Sequence, residues 1–141
     1  MINVNMSNKC TNNMNLNQND KPLVLLYIDD LIFTSKISIL AKETGVKTRS
    51  ITKADLDHLE DLVGVSKLIL VDLNANHLKP LEFIKNVQSS STSMDVHIIC
   101  FVSHIHHELK KEAERFEDIT VFSRSQFVDE LEGIFEEIKE L

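Results

Sequence analysis

The chain has 141 residues, of which 43% are hydrophobic and 26% are charged, values that are normal for a globular domain with a single core. Its formal net charge of −7 argues against a protein that binds nucleic acid or an anionic membrane by general electrostatic attraction. No apolar run approaches the roughly 18–20 residues that a membrane-spanning helix needs, and no apolar stretch near the N-terminus could form the core of a signal peptide.

The first twenty residues differ in composition from the rest of the chain. Asparagine occurs eight times between positions 3 and 19, with no helical or strand period. Such a segment cannot bury enough apolar surface to offset the entropy that ordering costs. We therefore predict a disordered, asparagine-rich tail over residues 1–20 and one folded domain over 21–141. An interaction arm is the alternative role for the tail.

After the tail, strand patterns and helix patterns alternate strictly. Short aliphatic runs, typical of buried strands, cover 23–28, 46–51, 67–74, 96–102 and 119–122. Segments with one apolar face predict helices over 31–44, 52–64, 80–87, 108–116 and 127–141. This alternation, with right-handed crossovers, favours a three-layer α/β/α fold around a five-stranded parallel sheet in the order 2-1-3-4-5, the flavodoxin-like arrangement.

The third predicted strand carries the most informative pattern. Its four aliphatic residues, 68–71, run directly into Asp72. In open α/β sheets, sites form in the crevice beyond the carboxyl ends of the strands. Other predicted strands end in further polar residues, which are Asp29, Asp30, Ser103 and Arg124. We therefore expect carboxylates, a hydroxyl and a cation to meet at one edge of the sheet.

These residue types suit a particular chemistry. Carboxylates held close together repel one another and raise their pKa values unless a cation lies among them. Oxygen ligands of this kind suit a hard divalent cation, Mg²⁺ above all. A carboxylate beside Mg²⁺ can attack phosphorus, and a nearby hydroxyl and cation can bind the phosphoryl oxygens. The residues therefore favour a magnesium site formed by Asp29, Asp30 and Asp72.

The pattern resembles the motif of response-regulator receiver domains. In that family an acidic pair follows strand 1, an Asp follows strand 3, a Ser or Thr follows strand 4, and a Lys, usually followed by Pro, follows strand 5. The segment 72–84 lines up without a gap on the receiver stretch that begins at the phosphoacceptor, and the resemblance covers residues 22–140. It implies these roles: Asp72 as phosphoacceptor, Asp29, Asp30 and Asp72 as magnesium ligands, and Ser103 as the hydroxyl that contacts the phosphoryl group.

The sequence also departs from the receiver pattern. The Lys is missing, and Arg124 is the nearest cation after the fifth strand, with no proline following it. Asn76 and His77 stand where the family has Pro and Gly in the loop after the phosphoacceptor. The segments 101–104 and 123–125 are similar to those of atypical, stand-alone receiver-like proteins of bacteria. Arg124 is therefore the candidate substitute for the missing lysine.

Two functions follow from this resemblance and a third from the fold class. The first is a stand-alone signalling module of a two-component phosphorelay, phosphorylated on Asp72 by a histidine kinase. The second is a pseudo-receiver, an interaction module that is not phosphorylated. Both would contact protein partners, a kinase or a downstream target, through the face of helix 4, strand 5 and helix 5, and neither is an enzyme. The third is a flavodoxin-like protein that binds a small molecule, although the chain has no glycine-rich phosphate loop.

Histidines and cysteines give weaker signals. His104, His106 and His107 are of the type that most often ligates transition metals, but no acidic or thiolate cluster has matching spacing. We therefore interpret them as part of a solvated loop. Cys10 falls in the predicted tail and Cys100 in a predicted buried strand, so no disulfide is expected. These features predict a cytoplasmic protein.

Overall fold

One parallel sheet organises the part of the chain that the computed structural model describes, residues 21–75, 78–90, 95–103 and 106–140. The predicted tail lies outside these residues. The five strands lie in the order β2-β1-β3-β4-β5 and pair in parallel throughout, which confirms the predicted topology. Their bounds are β1 Leu23–Tyr27, β2 Lys47–Ser50, β3 Leu68–Asp72, β4 His97–Val102 and β5 Ile119–Ser123.

Helices connect the strands and cover both faces of the sheet. Their bounds are α1 Leu31–Thr44, α2 Leu59–Gly64, α3 Pro80–Gln88, α4 His107–Glu114 and α5 Arg124–Ile138, with a short 3₁₀ helix, Ala54–His58, before α2. None of the helices in the described residues is long and apolar enough to cross a membrane.

Each face of the sheet has its own hydrophobic core. Ile69 and Val71 of β3 belong to the core beneath α2, α3 and α4, whereas Leu68 and Leu70 belong to the core beneath α1 and α5. This division follows from the alternation of side chains along a strand. A strand with helices on both sides must be apolar at every position, which explains why β3 reads as an unbroken aliphatic run.

The central position of β3 places its last residue at the middle of the sheet edge. All five residues of β3 are buried, and β1 and β4 are its two neighbours. The register pairs Tyr27 of β1 with Val71 and pairs Asp72 with Phe101 of β4. The aliphatic run and the carboxylate that ends it therefore have the positions that the sequence indicates.

The segment predicted as a single helix over 52–64 is divided. Asp55 accepts a hydrogen bond from the backbone N–H of Thr52 at 2.9 Å and donates its own N–H to Thr52 Oγ1 at 3.3 Å, so the expected capping pair is present. The turn after it is 3₁₀, and α2 begins only at Leu59. Leu56 in that turn is 42% exposed, so the turn buries too little apolar surface to be held in the α-helix.

The last helix begins three residues earlier than the predicted start at Phe127. Ser123 Oγ accepts from the backbone N–H of Gln126 at 3.2 Å, and Gln126 Oε1 accepts from the backbone N–H of Ser123 at 3.2 Å. This reciprocal capping box fixes the first turn of α5, and its Ser-x-x-Gln signature is visible in the sequence. Arg124 is thereby the first residue of α5 rather than part of a loop.

Candidate functional site

The predicted site residues gather at the carboxyl edge of the sheet, around the end of β3. Asp72 ends β3 and is only 4% exposed. Asp29 and Asp30 follow β1 on one side of it, and Ser103 follows β4 on the other side. Arg124 comes directly after β5. The topology therefore brings all five residues to one edge of the sheet.

Burial governs the ionisation of Asp72. Burial of the carboxyl raises the pKa of Asp72 above its ordinary value of 3.8. Opposing contributions come from the backbone N–H of Asn74, which Asp72 Oδ1 accepts at 2.9 Å, and from the positive charge of Arg124. The negative charge of Asp29 acts in the same direction as burial. The site therefore favours the neutral form of this carboxyl more than water does.

Asp30 has a different environment, because both of its carboxylate oxygens accept hydrogen bonds. Oδ1 caps α1 by accepting the backbone N–H of Phe33 at 3.0 Å, and Oδ2 accepts from Nη2 of Arg124 at 3.0 Å. These contacts lower the pKa of Asp30, and the bond from Phe33 is the largest single cause, followed by the bond from Arg124. The cation after the fifth strand is therefore paired with the second residue of the acidic pair.

Asn74, for which the sequence pattern predicted no role, links the loops after β3 and β4. Its Oδ1 accepts the backbone N–H of Ser103 at 2.6 Å, and its Nδ2 lies 2.9 Å from Nδ1 of His106. Because the backbone N–H of Asn74 binds Asp72, one residue connects the predicted phosphoacceptor to the predicted phosphoryl-binding residue. An Asn two positions after a strand end is common in exposed turns, so its type alone does not reveal this contact.

Tyr27 is a second residue that the motif did not indicate. Its ring stacks on Phe83 of α3 with 3.9 Å between the ring centroids, and its hydroxyl accepts the backbone N–H of Lys79 at 3.3 Å. Only 5% of this tyrosine is exposed. It therefore fastens the end of β1 to the segment that leads from the site into α3.

Two of the three histidines, His106 and His107, lie in the described residues. His106 contacts Asn74, and His107 is the first residue of α4. His104 lies outside the described residues, as do Asn76 and His77 of the loop after Asp72. His106 is thus a hydrogen-bond partner within the candidate site.

Asp30, one of the three predicted magnesium ligands, is engaged by other groups in this structure. Both carboxylate oxygens of Asp30 are bound, one of them to a cation. Within the described part of the chain, no three or more His, Cys, Asp or Glu side chains form a group that could hold a metal ion. Arg124 therefore supplies to Asp30 the positive charge that was expected from the metal.

Comparisons with known proteins identify the fold. No protein-family model and no curated protein sequence matches the chain. Among solved structures, the chain is similar to the chemotaxis response regulator CheY4 of Vibrio cholerae, with a TM-score of 0.66 and 16% identity over 84% of this chain and 98% of that one. A receiver domain from Methylobacillus flagellatus gives a TM-score of 0.64 and 17% identity over 84% of this chain and 98% of that one.

A third similar structure contains a metal. It is the receiver domain of the sensor histidine kinase PA1611 from Pseudomonas aeruginosa PAO1, which has a magnesium ion coordinated in its active site cleft. The TM-score is 0.65 and the identity 14%, over 86% of this chain and 99% of that one. Together these likenesses confirm that the chain has the receiver fold, as the motif around Asp72 indicated.

Proposed function

We propose that this protein is a signalling module of the receiver fold that works through protein–protein contacts without magnesium-dependent phosphorylation of Asp72. The likeness to solved receiver domains supports a signalling role. The ion pair between Arg124 and Asp30 is the observation that favours a pseudo-receiver over a phosphorylated one. Such a protein acts by binding rather than by catalysis.

The ion pair opposes metal binding because Asp30 would have to release Arg124 first. The guanidinium is also held from a second side, since its central carbon lies 4.1 Å from the ring centroid of Phe33. An arginine stays charged at every pH at which a protein is folded. The site therefore carries a permanent positive charge that does not depend on a bound ion.

The state of Asp72 supports the same conclusion. An aspartyl phosphate forms when a carboxylate oxygen attacks phosphorus, so the carboxyl must be ionised and accessible. Asp72 is 4% exposed, and Oδ1 already accepts a hydrogen bond from Asn74. Both features limit the access of a phosphodonor to its oxygens.

Exposure to small phosphodonors tests the proposal. The protein is incubated with millimolar Mg²⁺ and acetyl phosphate and its intact mass is followed; beryllofluoride with Mg²⁺ is followed by amide NMR. We expect no phosphoryl adduct and no shift of the Asn74 and Ser103 amide signals. A receiver domain that acetyl phosphate phosphorylates, treated in parallel, shows that the reagents are active. A stoichiometric adduct on the native chain that disappears in Asp72→Asn would overturn the proposal.

Phosphorylation of Asp72 by a histidine kinase is the alternative. The common location of Asp72 and Ser103 at one sheet edge supports it, and so does the magnesium ion in the cleft of the similar Pseudomonas receiver. In that case Mg²⁺ would draw Asp30 away from Arg124. Magnesium alone would then shift the amide signals of Phe33, whose N–H binds Asp30, whereas the pseudo-receiver leaves them in place.

For partner contacts we propose the face formed by α4, β5 and α5. Exposed charged side chains cover α4, and Ala113 is the one residue of that helix that is buried. A helix with so little apolar contact gains little from the core, so its outer surface is available to a kinase or a downstream target. Reversing the charge of Lys110 and Lys111 together is expected to weaken partner binding while the circular dichroism spectrum stays unchanged.

A further inference from the structure

An exposed apolar surface lies on α1 and α5, the second of which also borders the face assigned to partners above. Six large hydrophobic side chains are exposed among the described residues, and four of them are on these two helices: Leu31 at 78%, Ile32 at 72%, Ile39 at 60% and Val128 at 53%. Ile32 and Ile39 are seven residues apart, so they share one face of α1. A surface of this kind is unusual unless something covers it.

The two helices lie side by side and run in the same direction. At their first turns Arg124 is bonded to Asp30, and at their last turns the side chain of Lys139 lies beside Gly45. The residue numbers in both pairs differ by 94. A residue of α1 is therefore level with the residue of α5 whose number is 94 higher, which places Ile39 level with Gly133.

The exposed sides of these neighbouring helices differ in net charge. On α1, exposed Lys36 and Lys42 outnumber exposed Glu43, whereas α5 exposes the acidic residues Asp129, Glu130 and Glu132. Neither Lys36 nor Glu132 belongs to an ion pair formed by the described residues. A surface on which a helix of net positive charge lies beside an acidic helix is complementary to a second copy of itself.

Gly133 is a second feature of α5 that the fold of the single chain does not explain. Glycine in the middle of a helix lowers helix stability relative to alanine. A Cβ added at Gly133 would meet nothing within 4 Å, so the folded chain itself has no steric need for glycine there. Gly133 is exposed, and its missing side chain leaves a notch on the outer face of α5.

We propose that two copies of this chain form a symmetric dimer through α1 and α5, around a twofold axis parallel to the helices. This rotation places α1 of one copy over α5 of the other. It leaves the height of every residue along the helix axis unchanged. Ile39 then packs into the notch at Gly133 of the second copy, and Lys36 meets Asp129 and Glu132. A footprint of roughly 20 Å by 20 Å is smaller than that of a standard stable interface, so the dimer is weak and concentration-dependent.

Sedimentation of the full chain over a concentration series tests the dimer. We expect a reversible monomer–dimer equilibrium that Ile39→Glu abolishes and Lys36→Glu weakens about tenfold, the effect of one lost charge pair. Combining Lys36→Glu with Asp129→Lys and Glu132→Lys restores the affinity, because the charges on both sides of the contact are then reversed. Val65→Glu is the matched control, since Val65 is 67% exposed but lies after α2. A chain that stays monomeric at millimolar concentration, or a dimer that survives Ile39→Glu, would overturn the proposal.

Substitutions at Gly133 separate the interface from the fold. Gly133→Ala is expected to raise the melting temperature of the monomer and to weaken the dimer, whereas Gly133→Leu abolishes the dimer without unfolding the chain. Dimerisation that is unchanged in Gly133→Leu shows that Ile39 does not pack there and contradicts the twofold axis proposed. These outcomes do not depend on whether Asp72 is phosphorylated.

Discussion

The guanidinium carbon of Arg124 lies 4.1 Å from the ring centroid of Phe33, and the same side chain bonds the carboxylate that caps α1 through the Phe33 N–H. Phe33 packs edge-on against Phe101 of β4, with 5.2 Å between ring centroids. The first residue of α5 thus joins the start of α1 to the sheet. A cation–π contact and a hydrogen-bonded ion pair share one arginine here.

Replacing Arg124 tests how far this contact depends on a planar guanidinium. Lysine keeps the charge but cannot stack flat on Phe33. Arg124→Lys should therefore lose part of the contribution that Arg124 makes to lowering the pKa of Asp30, and Arg124→Gln should lose all of it. We expect the pKa of Asp30 to rise toward its ordinary value in the order Lys, then Gln. The carboxyl carbon signal of Asp30, titrated by NMR, measures this.

The same substitutions change the acid stability of the protein. The pKa of Asp30 is lowered in the folded state, so its contribution to stability is present above the unfolded value and is lost as pH falls through the folded value. The urea midpoint of the native chain should fall between pH 7 and pH 2, and this fall should be smaller in Arg124→Gln. Because the ion pair is partly exposed, the loss at neutral pH should be small. Lys110→Gln on α4 is the control that should leave both measurements unchanged.

The sheet could be predicted from the sequence because its strands are buried on both faces. A strand such as β3, covered by helices on each side, needs apolar side chains at successive positions, and that requirement is visible in any single sequence. The start of α5 was harder to place. Its first turn is held by the polar capping pair of Ser123 and Gln126, and periodic apolar residues begin only at Phe127.

The candidate site was predictable in position but not in its contacts. Topology alone brings Asp30, Asp72 and Ser103 to one edge. A carboxylate after a strand can cap the next helix, bind a metal or pair with a cation, and the residue type is the same in all three cases. Which partner Asp30 binds depends on the direction of the Arg124 side chain, and that direction depends on its packing against Phe33. The role of Asn74 was not predicted because the residue type alone does not reveal which groups its side chain contacts.

Asp118 is a position where backbone conformation limits the side chain. It is the one non-glycine residue with a positive φ in the described part of the chain, at 59°. Asp tolerates this region, but a β-branched residue does so poorly, so Asp118→Val should lower the free energy of unfolding by about 1–2 kcal/mol. Asp118→Gly should leave it equal or higher. Urea unfolding measures both, and Glu117→Val, at the preceding residue, should cost less than Asp118→Val.

Removal of the Asn74 side chain tests the link between the loops after β3 and β4. Asn74→Ala leaves the half-buried Ser103 N–H without its acceptor, a loss of about 1–3 kcal/mol in the free energy of unfolding. Hydrogen exchange of the Ser103 amide should become faster, while that of Leu70 in β3 follows only the change in global stability. Asn86→Ala, an exposed substitution on α3, is the control. Unchanged exchange at Ser103 would show that the bond does not protect this loop.

Asp72→Asn tests whether burial or the charge of Arg124 has the larger effect on the pKa of the Asp72 carboxyl. Asparagine keeps an oxygen that can accept the Asn74 N–H but carries no charge. Because the pKa of Asp72 is raised in the folded state, its stability contribution is present below the unfolded value and is lost as pH rises through the folded value.

The variant should therefore melt a few degrees above the native chain at pH 7, and this gap should close as pH falls below 3.8. Melting curves of both proteins across this range give the measurement, with Asp61→Asn on the exposed side of α2 as the control. If Asp72→Asn instead melts lower at pH 7, the attraction of Arg124 outweighs burial. The pKa of Asp72 would then be lower in the folded state than in the unfolded state, and burial would not be the main influence on its ionisation.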